Sequence, residues 1–144
     1  MKKFVIFLVI VMIIVCTISY LYFNYVSYNQ EIRNSNLEFE QYLNKELNGN
    51  DVGSIINKAI DYNEKNEIQK DDDGLYIEND ENSIRVDIKM LDDDGTIYQM
   101  EKIYNGNINN FMKYYSLIKF KTVQVDYHKK TGKIKYILLE QVTQ

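Results

Sequence analysis

Residues 83–100 read SIRVDIKMLDDDGTIYQM. Ile84, Val86, Ile88 and Met90 recur at every second position, with Arg85, Asp87 and Lys89 between them. A period of two is the signature of a strand with one apolar face. The acidic run that follows ends in Gly95. Asp bonds its own backbone in turns and Gly supplies a positive φ, so the run is a turn signal. TIYQMEKIY at 96–104 then reads as the partner strand of a hairpin.

The pattern continues on both sides. Before it, LYIE at 75–78 reads as a further strand. After it, NGN at 105–107 opens an amphipathic helix with Ile108, Phe111, Met112 and Tyr115 as its stripe. Residues 120–140, FKTVQVDYHKKTGKIKYILLE, read as a second hairpin turning at KKTG, with Val123, Val125 and Tyr127 alternating along its first arm. Upstream, Val52, Ile55, Ile56, Ala59 and Ile60 fall at helical spacing after Asn50 or Asp51 as N-cap. Gly49 suits the left-handed cap that ends the segment before it. Short links between neighbouring strands favour antiparallel pairing. The expected fold class is α+β: an antiparallel meander sheet of about five strands with two amphipathic helices, preceded by a long N-terminal helix.

That N-terminal helix starts in residues 4–23, FVIFLVIVMIIVCTISYLYF, a run without charge. Twenty residues at 1.5 Å each span about 30 Å, the thickness of a hydrocarbon core. The run is longer than a signal peptide's apolar stretch, and no small-x-small cleavage site follows it. Val15 before Cys16 is too bulky for a lipidation site. The expectation is an uncleaved single-pass anchor in contact with the lipid bilayer through residues 4–23. Lys2 and Lys3 place the N-terminus in the cytoplasm by the positive-inside rule and the C-terminal domain outside the cell. Tyr20, Tyr22, Tyr25 and Tyr28 suit the interface belt. Residues 1–27 are thus read as anchor and belt, 28–48 as a stalk helix, and 49–144 as an extracellular α+β domain. Asn34, Ser35 and Asn36 are mediocre helix formers, where the stalk could kink.

Composition narrows the chemistry. The chain of 144 residues has one Cys, one His, no Pro and no Trp. One cysteine excludes an internal disulfide framework, and Cys16 with His128 cannot build a zinc site. His128, beside Lys129 and Lys130, reads as a surface histidine. The abundance of Asn, Ile, Lys and Tyr points to an AT-rich, bacterial genome. Residues 61–101 hold 14 acids and 4 bases, while 102–144 hold 2 acids and 8 bases. Such sorting is a solvated surface, or else acidic and basic faces that meet between neighbouring subunits. Net charge of −4 and an extracellular location argue against nucleic acid.

DDDG occurs twice, at 71–74 and 92–95. Aligning Gly74 with the invariant glycine of an EF-hand puts Gln69 first and Asp80 twelfth. Aligning Gly95 puts Met90 first and Glu101 twelfth, and Met90 cannot ligate a hard cation. Both copies are read as tight turns, with weak calcium binding the alternative, and no residue is assigned as a metal ligand. No catalytic or cofactor-binding residue is assigned either, and no cofactor is expected. Tyr76, Tyr98, Tyr104, Tyr114 and Tyr115 suit core and half-buried strand positions, or a binding groove.

The layout resembles a type IV pilin or pseudopilin, with an apolar helix running into a half-buried stalk and a small sheet domain. The processing signature is missing: Lys3 precedes Phe4, and Leu8 stands where the family has its glutamate. LEFEQYLNKELNGNDVGSIINKAIDYNEKN at 37–66 and YHKKTGKIKYILLEQ at 127–141 are similar to small single-pass membrane proteins of low-GC Gram-positive bacteria, a group that carries no assigned activity. The resemblance implies class and location, not mechanism. The expected function is a non-catalytic cell-envelope protein whose outer domain binds other envelope proteins or itself. The alternative is a pilin-like subunit of a surface filament or secretion apparatus.

Overall fold

The computed structural model describes residues 1–91 and 95–142. The chain divides into two units, Met1–Asn34 and Ser35–Gln144. The first unit is helical from Lys2 onward, within helix α1 (Lys2–Leu43). Its apolar side chains are exposed along the run, from Phe4 to Phe23. With a window mean hydropathy of 3.0, α1 is the one helix among the described residues long and apolar enough to cross a membrane, and it fits a single-pass anchor.

The second unit is α+β. Its elements in chain order are the end of α1, β1 (Leu47–Asn48), α2 (Gly49–Lys65), β2 (Arg85–Lys89), β3 (Ile97–Gln99), α3 (Met100–Asn105), α4 (Ile108–Tyr114), β4 (Lys119–Tyr127) and β5 (Ile134–Gln141). The sheet has five strands in the order β1-β4-β5-β2-β3. The β2–β3 and β4–β5 pairs are antiparallel, as the spacing predicts. The sheet as a whole is not a meander, because β5 lies parallel to β2, with Val86 opposite Ile137 and Ile88 opposite Leu139. α3 and α4 supply the long crossover that a parallel pair needs. They return the chain so that the last hairpin docks on the free side of β2.

Three further readings are corrected. LYIE forms no strand beyond the single bridge Lys70–Tyr76. Its backbone is engaged locally: Ile77 N donates to Gln69 O at 2.8 Å, and Tyr76 N donates to the Glu101 carboxylate at 3.1 Å. TIYQMEKIY leaves the strand after Gln99 and turns into α3, with Met100 and Glu101 both buried. Gly49 caps nothing; α1 ends at Leu43, and Gly49 is the first residue of α2. The N-cap is Asn48, whose side chain accepts from Asn50 N and Asp51 N. The Asp51 carboxylate answers at Asn48 N, completing a capping box. Residues 34–36 are helical, within α1, as the expected extension of the N-terminal helix implies. Asn36 clamps the hairpin turn, donating to Gly132 O and accepting from Ile134 N, both at 2.9 Å.

The core lies between the sheet and the helices. The α2 stripe Val52, Ile55, Ile56, Ala59 and Ile60 is buried against Val86, Ile88, Ile137, Leu139 and Phe120. Phe39, near the end of α1, is buried in the same cluster, with Tyr42 and Leu43 packed against it. β4 carries a bulge at Val123: Thr122 faces Leu139 and Gln124 faces Leu138, so Val123 has no partner in β5. Val123 is consequently exposed, while Phe120 and Val125 on either side turn inward.

Candidate functional site

β3 runs directly into α3, and the two-residue turn Gly106–Asn107 joins α3 to α4. The turn is tight. A Cβ on Gly106 would stand 2.9 Å from Lys102 O, so glycine is required there. Asn107 adopts the left-handed conformation at φ 81, which asparagine tolerates better than most residues. Its side chain accepts from Asn110 N at 3.3 Å and starts α4. The turn places α3 and α4 around a cleft of about 410 Å³, a volume within the range of ligand and anchor-residue pockets.

The cleft has an apolar floor and an aromatic rim. Met90, Ile103 and Phe111 form the floor, and Tyr98, Tyr114 and Tyr115 stand around it. Phe111 and Tyr115 stack with centroids 4.8 Å apart. Lys102, Asn107 and Asn110 supply the polar groups. Tyr114 is 77% exposed and Leu117, just past α4, is 81% exposed. An aromatic ring held in water at the rim of an apolar cleft is a feature that anchor contacts use in protein interfaces.

Of the five tyrosines singled out in the sequence, Tyr98, Tyr114 and Tyr115 converge on this cleft, and Tyr104 is part-exposed on α3. Tyr76 sits elsewhere, over Lys70, with its hydroxyl 3.4 Å from Glu64. The convergence was hidden in the sequence because the three rings come from β3, α4 and the residue beyond it.

His128 is not a surface residue. It is 3% exposed, and its Nε2 lies 2.6 Å from Ser83 O. That carbonyl can only accept, so Nε2 carries the hydrogen and donates. The ring ties the second hairpin to the entry of β2. Its lysine neighbours, Lys129 and Lys130, gave no sign of this. Asp87 is buried too, accepting from Arg85 Nε at 3.1 Å and from the Tyr136 hydroxyl at 3.2 Å.

The first acidic run is a turn. Asp71 Oδ1 accepts from Asp73 N and Leu75 N, and Gly74 has φ 77. Asp92, Asp93 and Asp94 of the second run lie outside the described residues. Among the described residues no group of three or more His, Cys, Asp or Glu side chains could hold a metal ion. The sorted charges meet within the chain. Lys130 reaches Asp80 at 3.4 Å and Glu81 at 3.7 Å, and Lys135 pairs with Glu78. Lys89 bonds Glu140 at 2.8 Å and holds that carboxyl below its ordinary range.

Two tyrosines carry a pH signature. Burial and then the nearby Asp87 push Tyr136 up to about 12, and burial with Glu64 pushes Tyr76 up to about 12. A raised pKa means that folding favours the protonated phenol. This stabilisation is complete below the ordinary value near pH 10 and is lost as pH rises through 12. Tyrosinate absorbance should therefore show a late step above pH ~11. Tyr136→Phe and Tyr76→Phe should each shrink it; an unchanged step in both variants contradicts the assignment.

No protein-family model matches this chain, and no curated protein or solved structure shows significant similarity to it.

Proposed function

We propose that the protein is a non-catalytic, membrane-anchored component of the bacterial cell envelope whose outer domain binds another envelope protein through the α3–α4 cleft. The observation that carries this reading is the exposed Tyr114 at the rim of an apolar, tyrosine-lined cleft, followed three residues later by the exposed Leu117. Exposed aromatic and aliphatic groups around a preformed pocket are the usual anchor points of a partner's side chain. The apolar run of α1 supports anchoring in the bilayer, and the lysines before it support a cytoplasmic N-terminus.

A photo-crosslinking residue placed at position 114 of the full chain in living cells tests the reading. A discrete crosslinked product is expected there and not at Asp61, an exposed position on α2. The product should be lost when Leu117→Ser is added. Equal yield at both positions, or none at 114, defeats the cleft as a docking site.

The apolar N-terminal run of α1 also fits a second reading, a pilin-like subunit. Intact mass of the chain from membranes separates the two. An uncut chain removes the pilin-like reading, and trimming beside Lys3 supports it.

A further inference from the structure

The two edges of the sheet are treated differently. On one side β3 is three residues long and is closed by its immediate turn into α3, a common way to blunt an edge. On the other side β4 is nine residues long, but β1 covers it only at Lys119 and Phe120. Thr122 lies next to the end of α1, with its hydroxyl 3.5 Å from Tyr42 O. Among the described residues, no strand lies beside residues 123–127, VQVDY, on that edge. The window contains no Lys and no Pro, the residues that usually guard an edge. Val123 is 44% exposed and Tyr127 48% exposed. A groove of about 420 Å³ follows this edge, with Leu43 and Glu40 of α1 as its far wall.

The window is complementary to itself. If a second copy is laid antiparallel about Val125, Val123 meets Tyr127, Gln124 meets Asp126, and Val125 meets its own counterpart. Aromatic against β-branched is a favourable cross-strand pair. Gln124 already bonds Asp126 within the chain at 2.8 Å, so the amide and carboxylate are competent partners. A two-fold axis uses the Val123–Tyr127 and Gln124–Asp126 pairs twice and the Val125 pair once, which is how isologous interfaces arise.

We infer that the open edge of β4, residues 123–127, pairs antiparallel with the same edge of a second copy, joining two sheets into one across a two-fold axis at Val125. The inference extends the interaction-domain reading to a surface that shares no lining residue with the α3–α4 cleft. The Val123 bulge sets the limit of the interface. It separates the part of β4 paired with β1 from the part that faces only the groove walled by Glu40 and Leu43.

The test uses the full chain in proteoliposomes, with Cys16→Ser to remove the native thiol. Directly opposed residues in an antiparallel pair lie ~4.5–5.5 Å apart between Cα atoms, within the disulfide range of roughly 4.4–6.8 Å. Val125→Cys should therefore crosslink to its counterpart under mild oxidation, and Ile97→Cys on β3 should not. Because Val125 is half-buried, a second test uses exposed positions only. Val123→Lys with Tyr127→Lys should weaken self-association roughly tenfold, by placing like charges opposite each other twice. Val123→Lys with Tyr127→Glu should restore it to within about threefold of the parent. Positions 123 and 127 are roughly 13 Å apart along one strand at ~3.3 Å per residue, so this rescue acts only between chains.

A parent chain that stays monomeric, crosslinking at 125 no greater than at 97, or a Lys/Glu variant as weak as the Lys/Lys variant would each overturn the inference. Leu117→Ser should leave this self-association unchanged. Loss of cleft crosslinking with self-association intact therefore counts against the proposed function alone.

Discussion

Gly49→Ala should lower the stability of the second unit by about 3 kcal/mol, a fall of roughly 10–20 °C in the melting temperature. A Cβ at this position would stand 2.3 Å from Tyr115 O and 2.4 Å from Tyr115 C. Both are backbone atoms at the end of α4, so relief requires one helix to move. The same movement breaks the bond from Gly49 N to Tyr115 O, now 3.0 Å. Gly53, one turn further along α2, is the internal comparison. Its Cβ would meet Met112 at Cγ, 2.4 Å, and Sδ, 2.7 Å. Methionine can turn aside, and alanine gains ~1 kcal/mol of helix propensity over glycine. Gly53→Ala should thus cost no more than about 1 kcal/mol. Thermal unfolding followed by circular dichroism checks both. Equal losses at the two positions would show that the close approach of α2 and α4, and not the identity of the obstructing atoms, sets the penalty.

A comparable loss is expected at Asn63, which is fully buried in the last turns of α2. Its amide spans the backbone at the entry to β2, donating to Ile84 O at 2.7 Å and accepting from Ile84 N at 2.9 Å. Asn63→Ala leaves both peptide groups without a partner, at a cost of about 3 kcal/mol. Asn63→Asp keeps the acceptor but sets a second oxygen against Ile84 O. Compared with the parent at each pH, the Asp variant should regain stability as pH falls through the carboxyl range. A protonated acid donates where the carboxylate cannot, and burial raises the pKa of that acid. Urea unfolding at neutral pH and near pH 4 measures this. A pH-independent penalty would show that the amide donor is not what the site requires.

These two positions mark where sequence reading stops. The stripe on α2, the strand at 85–89 and the hairpin about the KKTG turn were all legible, because each depends on residues close in sequence and has its own period. The α+β class followed from them. The direction of β5 was not legible, since an apolar strand reads the same whichever way its neighbour runs. α3 was mistaken for strand because TIYQ alternates and six helical residues are too few to impose a period. The fifth strand proved to be Leu47–Asn48, a pairing of two residues that no periodicity announces. Asn63 lies outside the apolar stripe read on α2, and Asn36 stood out only as a mediocre helix former, yet each secures a distant backbone segment. His128 was misplaced for a similar reason, as its lysine neighbours are solvated while its own ring turns inward. Of the cleft, the tyrosines were noticed one by one. Their meeting depends on the tight turn at Gly106 and Asn107.

The parallel seam between β2 and β5 fixes the order in which the domain can be completed. β5 occupies the middle of the sheet but is made last, from residues 134–141. Until it arrives, β2 with β3 and β4 with β1 share no ladder, and the apolar face under α2 has only part of its cover. Contacts across such sequence distances form late and slowly. The sheet therefore closes only when residues 134–141 dock between β2 and β4, and until then its two halves can still be drawn apart as separate pieces.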